Sequence, residues 1–214
     1  MAWYQKTRRW CQTNLTEIDA QICDVSAWKR FWKEHHIDGV IVNAGGIVSY
    51  YPSEDPLQYR SPYLHQRDLL GEFVAAAREC SLAVVARMDC NRADEKMYRA
   101  HADWFAVDAQ GHPYQIDGRY IACVNGPYDQ QFIPERLREI ARIYAPDGFA
   151  DNSWQGLPAQ HICYCETCRA KFRKSTGEEL PAHADWQDDL YRRWVQWSIE
   201  CRMENWRLFN RVTQ

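Results

Sequence analysis

The sequence lacks the features that mark several classes of protein. No apolar run approaches the roughly 18 residues that a membrane span requires, so we predict no membrane partner. Its 26 lysines and arginines face 29 acidic residues, and a net charge of -3 gives no reason to expect nucleic acid as a partner. The first residues carry charge but no apolar segment typical of a signal peptide, which predicts a cytoplasmic location. Internal repeats and low-complexity linkers are also missing, so one domain over 1–214 is expected.

Cysteine, in contrast, is abundant, with nine residues in a chain of 214. Without a secretory signal, clustered cysteines are more often metal ligands than disulfides. Three scattered ones, Cys23, Cys80 and Cys201, lie on apolar faces, where we expect them to pack as small hydrophobes.

Short apolar runs alternate along the chain with amphipathic stretches, a pattern typical of βα units. The strands look buried on both sides, as parallel strands are. This periodicity predicts strands at 9–14, 40–43, 82–87 and 149–151, and helices at 27–36, 69–77, 134–144 and 190–208.

The connections favour a barrel. Those after the second and third strands (44–66 and 88–131) are long and rich in Tyr, Pro, Asn and Asp, whereas the connections into the second and fourth strands are short. In (β/α)8 barrels the long loops at the carboxyl ends of the strands carry the active site, and eight units take about 250 residues. We therefore predict an α/β fold, the N-terminal half of a (β/α)8 TIM barrel with four βα units. The alternative is a complete, open, four-stranded α/β sheet.

Within the second long loop, the segments 104–107 and 113–116 flank Asp108-Ala-Gln-Gly111 and predict a small hairpin.

The strongest chemical signal is the stretch Cys163-Tyr-Cys165-Glu-Thr-Cys168. Three thiolates within six residues suit tetrahedral zinc, which takes four ligands. Cys123, in the preceding long loop, and His161 compete as the fourth ligand. Four sulfur ligands would leave no open position, so a structural rather than a catalytic zinc is expected at the 163–168 loop. The alternative is a loop with three free thiols.

Three motifs carry a resemblance to known glycosidases. They are Cys-x-Asn-x-Pro-Tyr at 123–128, Asp-Gly-Phe-x-Asp-Asn at 147–152 and Cys-Tyr-Cys-x-x-Cys-x-x-x-Phe at 163–172. Together they resemble the β-galactosidases of glycoside hydrolase family 42 and, more closely, the family called hypothetical glycosyl hydrolase 6, whose members also resemble α-L-fucosidases. The similarity runs from Trp3 to about Pro181. In family 42 the matching four cysteines hold a structural zinc, so the resemblance implies Cys123 as the fourth ligand.

Glycosidases need two carboxyl groups at the scissile bond, and Asp151 ends the fourth predicted strand. In family 42 that strand ends in Asn-Glu, and the glutamate is the general acid/base; here Asn152-Ser153 stands instead, and the glutamate is missing. In the α-L-fucosidases an aspartate ending the fourth strand is the nucleophile. The resemblance therefore implies Asp151 as nucleophile, with the acid/base in a C-terminal half of the protein. The alternative is that Asp151 anchors its loop by hydrogen bonds.

Polar residues at the strand ends and in the long loops are candidates for binding substrate. Asp89, beside Arg87, suits substrate orientation, although a purely structural ion pair explains the two equally well. Asn14 and Asn43 end the first two strands, where their amides could bind sugar hydroxyls or cap turns. The complete set of predicted substrate-binding residues is Asn14, Asn43, Arg87, Asp89, His101, Asn125, Asn152 and Trp154.

Aromatic side chains are frequent in the predicted βα loops. Their rings could stack on pyranose faces or simply pack within the loops, and Trp154 is the preferred platform because it follows Asp151 by three residues. The loop aromatics are Tyr50, Tyr51, Tyr59, Tyr63, Tyr114, Tyr120 and Trp154.

These features together predict a retaining glycoside hydrolase, present here as an N-terminal fragment. Its expected partners are a carbohydrate substrate and, for the full-length protein, further copies of itself in a homo-oligomer. The alternative is a non-catalytic carbohydrate-binding or zinc-stapled structural domain, which the missing glutamate at Ser153 favours.

Overall fold

The computed structural model describes residues 2–153 and 156–214, which form two compact units. None of the described helices is long and apolar enough to cross a membrane. The helices are α1 (Trp3–Lys6), α2 (Asp19–Ile22), α3 (Val25–Glu34), α4 (Leu69–Glu79), α5 (Glu95–Ala100), α6 (Ile133–Tyr144), α7 (Glu166–Thr176) and α8 (Asp189–Val212). The strands are β1 (Trp10–Gln12), β2 (Gly39–Gly46), β3 (Ala83–Asp89), β4 (Arg92–Ala93), β5 (Gln115–Ile116), β6 (Arg119–Ile121) and β7 (Gly148–Asp151).

The first unit, which spans residues 2–89 and 136–153, contains a parallel sheet of four strands in the order β1-β2-β3-β7. Ile41 pairs with Val85, and Val85 pairs in turn with Gly148. Sequential parallel strands joined through helices are the arrangement of a barrel and of an open α/β sheet alike. The predicted mixed α/β architecture with a parallel sheet is confirmed, and it agrees with part of a TIM-barrel-like fold.

The helices of this unit bury an apolar face against one another and the sheet. Asp24 caps α3, since its carboxylate accepts hydrogen bonds from the main chain of Ser26 and Ala27. Trp32 of α3 is buried, and its ring centroid lies 6.1 Å from that of Phe73 on α4. The side chains of β2 and β3 are almost all buried, as expected of parallel strands covered on both faces.

The turns that lead from helix to strand use the left-handed region at residues other than glycine. His36 after α3, Ser81 after α4 and Ala145 after α6 have φ of 51°, 58° and 43°. A side chain in this region clashes with its own backbone, so each turn is somewhat strained. Asp38, two residues past His36, accepts hydrogen bonds from the main-chain N–H groups of Arg8 and Arg9, just before β1.

The second unit, which spans residues 90–135 and 156–212, is built differently. Its antiparallel sheet has the order β4-β6-β5, and Asp117-Gly118 forms the tight turn between β5 and β6. Both turn residues have positive φ, as the preferred two-residue hairpin turn requires. The core packs α7 and α8 around a group of cysteines, and its buried members are Cys123, Ile162, Cys168, Phe172, Leu180, Tyr191, Trp194, Trp197 and Cys201.

Several predicted boundaries need correction. The first strand is shorter than the predicted 9–14, and the second and third extend further toward their carboxyl ends, to Gly46 and Asp89. Helices α1, α2, α5 and α7 lie where periodicity predicts none. The expected pairing of 104–107 with 113–116 exists as a bridge between Val107 and Pro113, but the regular hairpin is the following one, β5-β6. An Asp-Gly pair flanked by short strands was the signal for it.

Candidate functional site

Polar side chains meet at the carboxyl ends of the first unit's strands. Arg87 is buried at the end of β3; its Nη1 donates to Asn14 Oδ1 at 2.8 Å, and its Nη2 lies 3.1 Å from Asp89 Oδ2. Three predicted substrate-binding residues are thus brought together, and Asn14 lies far from the other two in the chain. Asn14 is exposed and Asp89 half-buried, so oxygen and nitrogen atoms of this cluster face solvent.

Asn43, in contrast, is enclosed. Its side-chain oxygen accepts hydrogen bonds from Thr13 Oγ1 at 2.9 Å and from the main chain of Leu15 at 3.2 Å. These contacts hold the segment 13–15, which carries Asn14, against β2. The observed role of Asn43 is therefore to fix the neighbouring loop, and direct contact with a substrate stays a prediction.

Two tyrosines of the first long loop are buried and pack instead of presenting their faces. Tyr50 is 4% exposed and its hydroxyl donates to the carbonyl of Leu15 at 3.0 Å; Tyr51 is fully buried. Burial raises the pKa of Tyr50, and the negative charges of Glu17 and Asp89 raise it further. Tyr50 therefore stays a neutral hydrogen-bond donor next to the polar cluster. For these two aromatics the packing alternative is confirmed.

Asp151 lies exposed at the end of β7. Its Oδ1 accepts hydrogen bonds from Ser153 N at 2.9 Å and Ser153 Oγ at 2.8 Å, which closes a local turn. In the register of the sheet Asp151 pairs with Met88, whereas Arg87 pairs with Ala150. Because side chains alternate along a strand, the side chain of Asp151 leaves the sheet on the same face as that of Met88, whereas those of Arg87 and Asp89 leave on the opposite face. Asn152 is exposed too, and its N–H extends the pairing by donating to Met88 O at 3.0 Å.

A buried ionic cluster fixes the loop after β2, and the sequence patterns did not reveal it. The carboxylate of Glu139, on α6, accepts hydrogen bonds from Tyr51 Oη and Ser53 Oγ, each at 3.0 Å, and from the main chain of Glu54. Arg136 Nε lies 2.9 Å from the same carboxylate. A charge this well surrounded by donors within one unit is a structural anchor. An arginine and a glutamate three residues apart on the buried side of an amphipathic helix were the only available signal.

In the second unit four cysteines converge, and they are those predicted as metal ligands. The sulfur atoms of Cys123, Cys163, Cys165 and Cys168 all lie within 4.8 Å of one another. Cys123 Sγ is 3.5 Å from Cys165 Sγ and 3.4 Å from Cys168 Sγ. His161 lies outside this group and places its ring 5.3 Å from that of Tyr114.

The start of α7 explains how two of these sulfurs, those of Cys165 and Cys168, are directed toward one point. Cys165 is the N-cap of α7, and its sulfur accepts a hydrogen bond from the main chain of Cys168 at 3.5 Å. Cys168 lies in the first turn of the helix and is buried, while Cys163 and Cys165 are half-buried. Cys123 reaches the same point from the loop that follows β6.

The electrostatics of the cluster fit a cation. Hydrogen bonds lower the pKa of Cys165, with Cys123 the largest contributor, followed by Cys163 and Cys168. The pKa of Cys123 is raised, mainly by its hydrogen bond with Cys163. Without a cation, four adjacent buried sulfurs cannot all ionise, because like charges this close repel. A bound metal removes that conflict, and four sulfurs at these separations could hold one.

The remaining predicted residues lie in the second unit or outside the described residues. The ring of His101 stacks on that of Trp104, with centroids 3.9 Å apart and an angle of 7°. Asn125 is buried, and its Nδ2 donates to Cys168 Sγ at 3.4 Å. It thus contacts a metal-ligand candidate, and a role in binding substrate stays a prediction. Trp154 lies outside the described residues.

Comparison with known proteins supports the resemblance seen in the sequence. The family model of hypothetical glycosyl hydrolase 6 matches residues 24–153, more than half of the 214 residues. No curated protein sequence matches the chain significantly.

Three solved structures have similar folds. An α-L-fucosidase, isoenzyme 2 from Paenibacillus thiaminolyticus, superposes on 100% of this chain with a TM-score of 0.67 and 20% identity. A β-galactosidase from Bacillus circulans sp. alkalophilus superposes on 96% with a TM-score of 0.59 and 14% identity. A hypothetical protein from Ruminiclostridium thermocellum superposes on 68% of this chain and 75% of its own, with a TM-score of 0.52 and 8% identity. The chain spans only 31% of the fucosidase and 34% of the galactosidase, and at these identities the likeness concerns the fold.

Proposed function

This chain belongs to the hypothetical glycosyl hydrolase 6 family, and from that premise we propose that it is part of a glycoside hydrolase. Its carbohydrate would bind at the carboxyl ends of β1, β2, β3 and β7. The observation that carries this proposal is the cluster of Arg87, Asn14 and Asp89 at that end of the sheet. In α/β enzymes, ligands bind at the carboxyl ends of parallel strands, and charged and amide side chains there contact them.

The four-stranded sheet would be the first half of a (β/α)8 barrel. Support comes from the sequential strand order and from the fold shared with a much longer α-L-fucosidase and β-galactosidase. Further βα units of a longer protein would complete the barrel and supply the second carboxyl group.

In the reaction we propose, Asp151 is the nucleophile of a retaining mechanism. Its carboxylate would attack the anomeric carbon while the second carboxyl group protonates the departing oxygen, and water would then release the sugar from Asp151. The hydrogen bonds from Ser153 to Oδ1 would hold the carboxylate in a fixed orientation. Arg87 and Asp89 would orient sugar hydroxyls.

The four cysteines would hold a structural zinc ion. Zinc favours four sulfur ligands in tetrahedral geometry, and such a site has no open position for substrate. When bound, the ion would tie the loop of Cys123 to the start of α7 and neutralise thiolate charge.

The nucleophile is tested by the variant Asp151→Ala in the full-length protein, assayed on activated aryl glycosides. Loss of nearly all turnover, with external azide restoring activity and giving a glycosyl azide of inverted configuration, would support a retaining nucleophile. Asp89→Ala is the matched comparison, because it removes a carboxylate from the same end of the sheet. It should raise KM more than it lowers kcat. Near-normal turnover in Asp151→Ala would show that the nucleophile lies elsewhere.

A second candidate is a carbohydrate-binding domain without catalysis. The observation that favours it is Ser153, which stands where the family 42 pattern has glutamate and which engages the carboxylate of Asp151 in a local turn. If the full-length protein binds oligosaccharides in titration calorimetry but hydrolyses none of them, this candidate replaces the enzyme.

A further inference from the structure

A polar chain leads from the cysteine cluster to the surface of the second unit. Asn125 is buried, with Nδ2 3.4 Å from Cys168 Sγ and Oδ1 2.9 Å from Lys171 Nζ. Lys171 Nζ also lies 2.7 Å from Glu204 Oε2, on α8. A single amide thus joins one sulfur of the cluster to a lysine that is itself held by a carboxylate.

The partners of Asn125 fix the direction of its amide. An ammonium group only donates hydrogen bonds, so it must face the amide oxygen. The NH2 group is then turned toward the sulfur of Cys168, which in a metal-bound thiolate can only accept. The reversed amide would place NH2 against the ammonium and oxygen against the thiolate, and both contacts would be repulsive. The arrangement therefore places a hydrogen-bond donor against the sulfur of Cys168.

We propose that Asn125 is a positioning residue for the metal site, oriented by Lys171, and that it holds the Cys168 thiolate in its ligating position. This rests on the proposed metal. The N–H···S bond disperses negative charge from the sulfur, and Lys171 adds a positive charge one residue further out. Four thiolates around a divalent cation leave a net negative charge, so both contributions stabilise the loaded site. Hydrogen bonds of this kind orient metal ligands and affect affinity.

The direct test measures the affinity of the chain for Zn2+ by competition with a chromophoric chelator, and the thiolate-to-metal absorption of the Co2+ form. Asn125→Asp keeps the shape of the side chain but replaces the donor by an oxygen that repels the thiolate. We expect about a 10- to 100-fold loss of zinc affinity and a changed cobalt spectrum. Lys171→Met, at a half-exposed position, should give a smaller loss in the same direction.

Asn205→Asp is the matched control. Asn205 is also buried in the same unit, but its Nδ2 donates to the carbonyl of Val124 and not to a sulfur. This variant should retain the wild-type cobalt spectrum and most of the zinc affinity. Wild-type affinity in both Asn125→Asp and Lys171→Met would overturn the role of Asn125, as would equal losses in Asn125→Asp and Asn205→Asp. A wild-type chain that binds neither Zn2+ nor Co2+ would instead overturn the metal proposal, before any variant is compared.

Discussion

The two candidate sites differ in how the chain encodes them. In the cysteine cluster three of the four sulfurs lie within six residues, all of one chemical type, and the start of α7 aims two of them. The polar cluster at the sheet end joins Asn14, in the loop after β1, to Arg87 and Asp89 of β3, and the three side chains are of different types. A metal site can thus be encoded largely by one short stretch of sequence, whereas a site at the end of a sheet forms only after the strands have paired.

The two sites also differ in what would stabilise them. The cysteine cluster has four sulfur atoms within 4.8 Å of one another and requires a cation for all of them to ionise. Around the sheet end, the loops are held by ordinary hydrogen bonds and by the buried carboxylate of Glu139. Removing a cysteine ligand should therefore act through loss of the metal, whereas removing a carboxylate should act through loss of hydrogen bonds and ion pairs.

The largest effect is expected from Cys165→Ser. The chain should contain about one zinc ion and lose it in this variant, because structural zinc contributes on the order of 10 kcal/mol through its ligands. Metal analysis after purification under reducing conditions measures this. Cys80→Ser, outside the cluster, should keep its zinc. If the wild-type protein contains no zinc and all of its thiols react freely, the proposed metal site is wrong.

Glu139→Gln should have the next largest effect. The variant removes one of the two carboxylates that face Arg136, since Asp55 Oδ2 still lies 2.5 Å from its Nη1, and it disturbs the hydrogen bonds from Tyr51 and Ser53. A buried charge left without any partner costs about 3–5 kcal/mol in the free energy of unfolding, so with Asp55 still in place we expect about 2–3 kcal/mol. Denaturation with urea measures it. Glu79→Gln, at an exposed ion pair with Lys29, should cost much less than Glu139→Gln, because solvent screens exposed charges. Equal losses at the two positions would show that Glu139 does not anchor the loop.

The smallest change in the free energy of unfolding is expected from two opposite substitutions, one that introduces a glycine and one that removes a glycine. Each lies in the turn after a helix, one in each unit. Ser81→Gly relieves a side chain at φ 58°, and after allowing for the flexibility of glycine in the unfolded chain it should stabilise by about 0.5–1 kcal/mol. Gly177→Ala, after α7, introduces a side chain at φ 77° and should destabilise by about 1 kcal/mol. Thermal melts of both variants decide it. A destabilised Ser81→Gly would indicate that the serine side chain makes a contact that outweighs the strain.

Much of the fold was predictable because it depends on local patterns. Alternating apolar runs and amphipathic stretches indicated the four parallel strands and the helices α3, α4, α6 and α8, with errors of a few residues at their ends. Helix α7 escaped because much of its surface is charged, with Cys168 and Phe172 as its only buried side chains. A helix held by so few core positions shows little apolar periodicity.

The candidate sites divide in the same way. Spacing alone indicated a thiolate site at Cys163, Cys165 and Cys168 and left Cys123 and His161 open as the fourth ligand; the family resemblance then implied Cys123, which the structure confirms as a member of the cluster. At the sheet end, the positions of Arg87 and Asp89 followed from the end of a strand, while the bond from Arg87 to Asn14 did not.

Residue types at short, regular spacing indicated the parallel α/β architecture and the three cysteines at 163–168. The motifs that resemble known glycosidases indicated the family and Cys123 as the fourth cysteine. The tertiary structure shows that Cys123 meets the other three sulfurs, as the resemblance implies, and that Asn125 turns its amide toward Cys168. It also shows that the carboxylate of Glu139 is buried among hydrogen-bond donors and that the side chains of Asp151 and Arg87 leave the sheet on opposite faces. Each of these depends on the register and packing of segments far apart in the chain, and a one-residue change in register moves a side chain to the other face of a strand.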